Sequence, residues 1–523
     1  MSNNLRLTIF IILITIVSFT CRFWQLTNYP VHLSMDEATI GINAYSVLET
    51  GNDEWGFHLP LAFKSVGDYK PPVNVYLTVI SIKIFGYTEF AIRFPSAFIG
   101  TITPIIVFFL LLELSFSPTA SLFASLWLAV LPWHIHYSRG GYESVTALFC
   151  LIAGILFLIK WFKTHYLYQL VLTVIFLSLS VWTYHAERLL TPIITIVLLY
   201  IYRLDLKLKK YSKNYIIGFF ILCFFAVPFL NQALFSPAIK ARVETTSFLH
   251  DPRLTNQLSK NFISNQYKII NYWAGKYVDY FDLKFISWQG MQFTPPEYPD
   301  VGLVFLIDVP FLLLGLYQLI KSKNKKLQQI TWTLILLGPL PASLAMNDQH
   351  ALRALTWLPA FIILMTFTFE YLKYKLPLLC IYFFLLLINF AYFFNIYTIQ
   401  SPYYFSEYSQ YGFKQAAVYA CQNEDKFKTI VFSDTFGSLG PLNTGLPYLY
   451  VMFYCQKDPT INNHAQVAKY EFRRPDWKHD MNKPNLLLIA TPWDILNDKI
   501  PENQIIETIK FKNGHTAFVL IKT

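Results

Sequence analysis

Adjacent carboxylates, Asp36 and Glu37, follow the first membrane-length apolar run, and Lys70 stands further on in Tyr69-Lys70-Pro71-Pro72. Charges at the rim of a bilayer must be hydrated, paired or functional, because an unpaired one there is costly. A carboxylate can accept the proton of an attacking hydroxyl, and fixed cations can stabilise a departing anion. Lys70, Arg93, Arg139 and Arg188 all fall at the same ends of predicted helices, a convergence suited to phosphate. As sequence neighbours, Asp36 and Glu37 point apart on a helix or a strand, so they are not expected to share one proton.

The elements that must hold these groups are membrane helices. Of the 523 residues, 54% are hydrophobic, 18% aromatic and only 14% charged, against about 25% charged in a soluble domain; the mean hydropathy is +0.38. The net charge of +10 sits in short loops between apolar runs, so it reads as topology signal and not as nucleic-acid affinity. Windows long enough to cross a bilayer fall at 7–24, 92–113, 119–137, 142–163, 166–184, 187–203, 215–233, 301–320, 328–346, 353–371 and 375–398. The expectation is a polytopic α-helical membrane protein of about 11 spans plus interfacial helices. The run 73–86 carries Lys83 and would cover only about 21 Å as a helix, so it is read as interfacial. Arg6 precedes the first apolar core as in a secretory signal, but no small-residue cleavage pattern follows, and the segment reads as a retained anchor.

With the amino terminus inside, the loops 160–165, 203–213, 321–326 and 373–375 are cytoplasmic and basic. Segment 25–72, with acidic residues in excess over its two lysines, then lies outside. The expected division is a transmembrane domain over 1–399, with outer loops 25–91 and 234–300, and a small extracytoplasmic α/β domain over 400–523. Strand-like runs at 429–432, 486–490 and 517–521 support the latter. Cys421 and Cys455 are its only cysteines, and an oxidising compartment would let them bond; Cys21, Cys150, Cys223 and Cys380 lie in or beside spans and read as small apolar residues.

No Cys-x-x-Cys, His-Glu-x-x-His, nucleotide-binding glycine loop or Asp-x-Asp is present. An activated group carried by a lipid needs none of these. The order Asp36-Glu37-Ala38, Lys70-Pro71-Pro72, Phe85-Gly86 and Arg93-Phe94-Pro95-Ser96 resembles the amino-terminal signature of the C-type glycosyltransferases, in the branch of the protein O-mannosyltransferases and lipid A aminoarabinose transferases. The resemblance is most specific over residues 20–145. It implies a polyprenyl-phosphate sugar as donor, a protein, lipid or polysaccharide acceptor, and a site at the outer face of the cell membrane.

In that setting Asp36 is the candidate general base, and Glu37 either orients the acceptor or binds a divalent ion; no cofactor is implied beyond such a metal. Attack opposite the leaving phosphate would invert the anomeric centre. Lys70, Arg93, Arg139, Arg188 and Arg353 are the candidate phosphate ligands, the last because relatives often carry an arginine there. Arg139 is followed by Gly140-Gly141-Tyr142-Glu143 where relatives often place an Asp, and Glu143 and His185 are the candidate substrate contacts. His134 and His136 are spaced i, i+2, poorly for shared metal ligation on a helix. The rival reading is a transporter or flippase of lipid-linked saccharides, for which charges at mid-membrane depth and paired halves are the usual signs.

Overall fold

The computed structural model describes residues 3–65, 68–207, 209–236, 244–259, 261–295, 298–436, 445–459, 466–496 and 498–523. Proline sets many of the helix starts, because at the first helical position its missing N–H is no loss. In chain order the first ten helices are α1 (Asn3–Phe23), α2 (Met35–Thr50), α3 (Pro72–Phe85), α4 (Glu89–Glu113), α5 (Pro118–Val130), α6 (Pro132–Arg139), α7 (Glu143–Thr164), α8 (Leu167–Thr183), α9 (Glu187–Ile201) and α10 (Ser212–Phe235).

Every expected window holds helix, but not always one long helix. Among the described residues six helices are long and apolar enough to cross a membrane: Leu5–Phe23, Glu89–Glu113, Glu143–Thr164, Ser212–Phe235, Leu355–Leu372 and Leu376–Phe405. The chain is therefore multi-pass. The window 119–137 is the pair α5 and α6, bent by 52° where Pro132 cannot continue the hydrogen-bond ladder. Windows 166–184, 187–203, 301–320 and 328–346 hold helices of 17, 15, 14 and 13 residues, so these apolar stretches are helical but shorter than the six long spans. The run 73–86 is the 14-residue α3, and the last long helix continues through residue 399 to Phe405.

Helices α1 and α10 present Phe10, Ile12, Phe219, Phe220 and Phe224 outward, the pattern of surfaces solvated by lipid. Several polar groups inside the bundle pair with one another, as hydrocarbon favours. Arg22 meets His134 Nδ1 at 2.6 Å and the Ala129 carbonyl at 2.9 Å, and Asp308 accepts from Trp127 at 2.9 Å and Tyr382 at 2.7 Å.

The bundle has two chemically distinct ends. At one, ion pairs tie the basic loops together, Lys163 to Glu113 at 2.8 Å, Lys326 to Asp205 at 2.5 Å and Lys373 to Glu370, which also accepts a hydrogen bond from the Ser117 hydroxyl. At the other lie α2, a short hairpin of β1 (Phe63–Lys64) with β2 (Tyr69–Lys70), and the carboxyl-terminal sheet. That sheet comprises β3 (Thr429–Phe432), β4 (Gln466–Val467), β5 (Tyr470–Phe472), β6 (Leu486–Ala490), β7 (Ile505–Lys510) and β8 (Thr516–Lys522), ordered β4-β5-β3-β6-β8-β7. β3 runs parallel to β5 and β6, and the remaining pairs are antiparallel.

Helices Phe413–Gln422 and Pro447–Tyr454 join the sheet to α2 through one apolar core that includes Ala38, Ile42, Ile92, Phe413 and Phe453. Tyr450 donates to the Leu33 carbonyl at 3.0 Å, and Glu89 receives Tyr454 at 2.5 Å and Lys414 at 2.8 Å. Cys421 and Cys455 form a disulfide with a Cα separation of 5.5 Å, within the geometric range for such a bond.

Candidate active site

Ser34 caps α2 by a capping box: its hydroxyl accepts from the Glu37 N–H at 3.2 Å, and Glu37 Oε2 accepts from the Ser34 N–H at 2.9 Å. This cap fixes which way each carboxylate faces. Glu37 turns inward, 2% exposed, and its Oε1 accepts from Arg93 Nε at 2.8 Å and from the Gly141 N–H at 3.2 Å. Burial would raise its pKa, but Arg93 outweighs burial and holds the carboxyl below its ordinary value. Asp36 faces the other way, with its side chain 54% exposed and Oδ1 2.6 Å from Lys70 Nζ.

Lys70 ends β2, and Pro71-Pro72 turn the chain straight into α3. The hairpin is steadied by His185, whose Nε2 lies 3.0 Å from the Tyr69 carbonyl. Burial disfavours the Lys70 ammonium, yet Asp36, Glu143 and Asp68 together keep its pKa above the usual lysine range. Glu143 opens α7, and its loop is anchored by Asn74, which donates to the Gly141 carbonyl at 3.1 Å. Asp36, Lys70, Glu143 and His185 are thus assembled in one place from four separate stretches of sequence.

The arginines divide. Arg93 is fully buried and donates to the carbonyls of Leu26 at 2.9 Å, Pro30 at 3.1 Å and His32 at 2.7 Å as well as to Glu37. Arg139, also buried, donates to Cys21, Arg22, Trp24, Gln25 and Tyr29 carbonyls at the end of α1. Both were expected as phosphate ligands; here their guanidinium groups are engaged by carbonyls that the turn after α1 leaves in need of donors. Arg188 lies over the Phe229 ring at 5.5 Å. Arg353 and His185 share the lining of a cavity of about 370 Å³ with Phe248 and Pro341.

Next to the hairpin, an almost wholly apolar groove of about 520 Å³ is lined by Pro72, Tyr76, Leu77, Phe149, Trp182 and Phe225. Pro72 in its wall is two positions from Lys70. Among the described residues no three His, Cys, Asp or Glu side chains are grouped to hold a metal ion, and the carboxylate of Asp36 is paired to Lys70 at 2.6 Å.

Ser34, Asn74 and Gly141 support the site and were not singled out from sequence. Ser34-x-x-Glu37 was the available signal, since a capping box assigns Glu37 to the helix start.

Residues 69–230 match the family model described as dolichyl-phosphate-mannose-protein mannosyltransferase. No curated protein matches the chain. Among solved structures, the Archaeoglobus fulgidus oligosaccharyltransferase tethered with an acceptor peptide aligns with a TM-score of 0.54 at 11% identity, covering 87% of this chain and 63% of that one. The same organism's AglB in complex with an inhibitory peptide and a dolichol-phosphate aligns at 0.52 and 12% identity, over 86% and 63%. ArnT from Cupriavidus metallidurans bound to undecaprenyl phosphate aligns at 0.46 and 12%, over 99% and 98%. The chain spans 63% of the length of the archaeal chains it matches. It has the fold of the archaeal oligosaccharyltransferase, and the stretch that carries Lys70, Glu143 and His185 matches the dolichyl-phosphate-mannose-protein mannosyltransferase family.

Proposed function

We propose that the chain is a membrane glycosyltransferase that moves a sugar from a polyprenyl phosphate to an acceptor outside the cytoplasm, with inversion. The observation that carries this reading is the Asp36–Lys70 pair at 2.6 Å beside an apolar groove of about 520 Å³. An isoprenoid tail fits the groove, and its phosphate then meets the lysine ammonium. The family match over residues 69–230 supports a lipid-phosphate donor, as does the dolichol-phosphate in the AglB complex.

The chemistry follows from exchanging partners. Donor phosphate takes the Lys70 ammonium from Asp36, and Glu143 stays beside the cation. The freed Asp36 carboxylate accepts the acceptor hydroxyl proton as its oxygen attacks the anomeric carbon; the carbon–oxygen bond to phosphate breaks, and the lipid phosphate leaves with the electron pair next to Lys70. Arg353 and His185, which share one cavity, and Arg188 are candidates for donor and sugar contacts. Glu37 and Arg93 act as positioning residues, fixing the start of α2 and so the aim of Asp36. An extracytoplasmic site is supported by the basic loops at the opposite end of the bundle and by the Cys421–Cys455 bond.

The test is mass spectrometry of glycans and glycolipids from cells with the intact protein, without it, and with Asp36→Ala. One glycosylated species should disappear without the protein and fall by about 10² to 10⁴ fold in the variant. Near-normal product with Asp36→Ala would remove Asp36 as the base.

A further inference from the structure

We propose that the groove between the membrane helices and the carboxyl-terminal domain is a binding site for neutral saccharide, separate from the groove beside Lys70. It has two adjoining parts. The outer part, about 830 Å³, is walled by Tyr403, Tyr404, Tyr411, Gln25, Asn28 and Gln415. The inner part, about 240 Å³, is lined by His32, His136, Gln292, Ser401 and Ser409. Val31 and Pro402 line both, so the two adjoin.

The lining chemistry selects the ligand. A sugar ring offers apolar C–H faces and a girdle of hydroxyls that both donate and accept; aromatic faces interleaved with amides and hydroxyls match it group for group. The inner end is polar but incompletely paired: the Nδ1 atoms of His32 and His136 are buried and have no hydrogen-bond partner among the described residues. The His136 ring stands edge-on to Phe293 at 4.9 Å and to Tyr397 at 5.7 Å, which leaves an aromatic box. Burial brings His32 down to about 4, so it presents an uncharged ring at neutral pH.

Most of the charged groups at the groove already have partners. Glu37, at the back of the inner part, is already bound to Arg93, Gly141 and Ser34. At the rim, Lys414 is paired with Glu89 at 2.8 Å and Lys512 lies 5.3 Å from the centre of the Tyr411 ring. A polyprenyl chain would leave the amides dry and unpaired. Strand addition, one common mode of peptide capture, has no edge here, since none of the described residues walling the outer part belongs to a strand. The groove shares no lining residue with the apolar groove beside α3, so the inference stands whether or not the donor reading does.

The test is saturation-transfer NMR and calorimetric titration of the full chain in detergent with neutral linear trisaccharides of glucose, mannose and N-acetylglucosamine. At least one should bind saturably, and the Kd should rise at least about tenfold in Tyr403→Ala/Tyr411→Ala and in His136→Phe, each checked for an unchanged Tm. Ser409→Phe, which fills the inner part, gives a second variant should His136→Phe not fold. Lys70→Ala should bind the saccharide like the parent. Absence of saturable binding across the panel overturns the proposal, as does binding undiminished in the groove variants or loss of binding in Lys70→Ala alone. A serine- and threonine-rich peptide that binds the groove where the saccharides do not would overturn it in favour of a peptide.

Discussion

Lys70 and Arg93 carry the same charge near the same helix start, yet burial and partners give them different work. Lys70 faces an exposed carboxylate that a ligand can displace, whereas Arg93 is enclosed by Glu37 and three carbonyls. Lys70→Ala should therefore weaken polyprenyl-phosphate binding by about 1.5 to 3 kcal/mol, the range of a charge-assisted hydrogen bond, at unchanged Tm. Arg93→Ala should lower stability by about 3 to 5 kcal/mol, since it strands a buried carboxylate. Titration calorimetry and thermal melting separate the two, and equal lipid affinity in Lys70→Ala would return that lysine to a structural role.

Glu54 gives a residue-scale test by pH. Burial, with help from Asp53, raises its carboxyl to about 7 although Asn43 donates to it at 2.9 Å. The folded form thus holds a proton that the unfolded chain releases near 4.3. This group's contribution to stability falls as pH rises from that value to about 7 and is constant above. Glu54→Gln should gain Tm over the parent across that window and hold the gain beyond it; a Tm difference independent of pH would place the proton elsewhere. Asp36 and Glu37 show what a single sequence reveals of such residues: their types and their divergent directions were legible. That Glu37, Arg93 and Arg139 serve the backbone was not, because burial depends on carbonyls contributed by the turn after α1.

At the scale of elements, apolar length and strand pattern were the legible signals. Runs 429–432 and 486–490 coincide with β3 and β6 because buried central strands are continuous apolar runs. β4 and β5, of two and three residues, are too short to show a period, and β7 is mostly exposed. The helix windows were legible, but their breaks needed Pro132 to be weighed against apolarity. The disulfide links the ends of helices Phe413–Gln422 and Pro447–Tyr454, the pair that packs on α2. Cys421→Ser with Cys455→Ser should lower the stability of the sheet domain by about 2 to 4 kcal/mol, read as an earlier unfolding step. Alkylation of both thiols in the denatured, unreduced parent would show that no bond forms.

For the whole molecule the question is which compartment each end of the bundle meets. Cysteines introduced at Asn52 or Asn503 should react with a membrane-impermeant maleimide in intact cells, and one at Ser212 should not. Labelling at Ser212 alone would invert the map and move the site to the cytoplasm. The structure settles that α2 and the sheet domain share one end, which hydropathy alone gave only through a count of spans.

That shared end also sets an order of biosynthesis. Tyr450 reaches the Leu33 carbonyl across a sequence separation of 417 residues, and Ala38 and Ile42 pack against a core built from the carboxyl-terminal domain. At ribosomal speeds of about 5 to 20 residues per second, the helix bearing Asp36 waits roughly 20 to 80 s for its packing partner to emerge. Until then its apolar face is uncovered and the aim of its carboxylate unset. A nascent chain halted before residue 445 would therefore carry its membrane helices with the start of α2 still lacking the core it packs against in the complete structure.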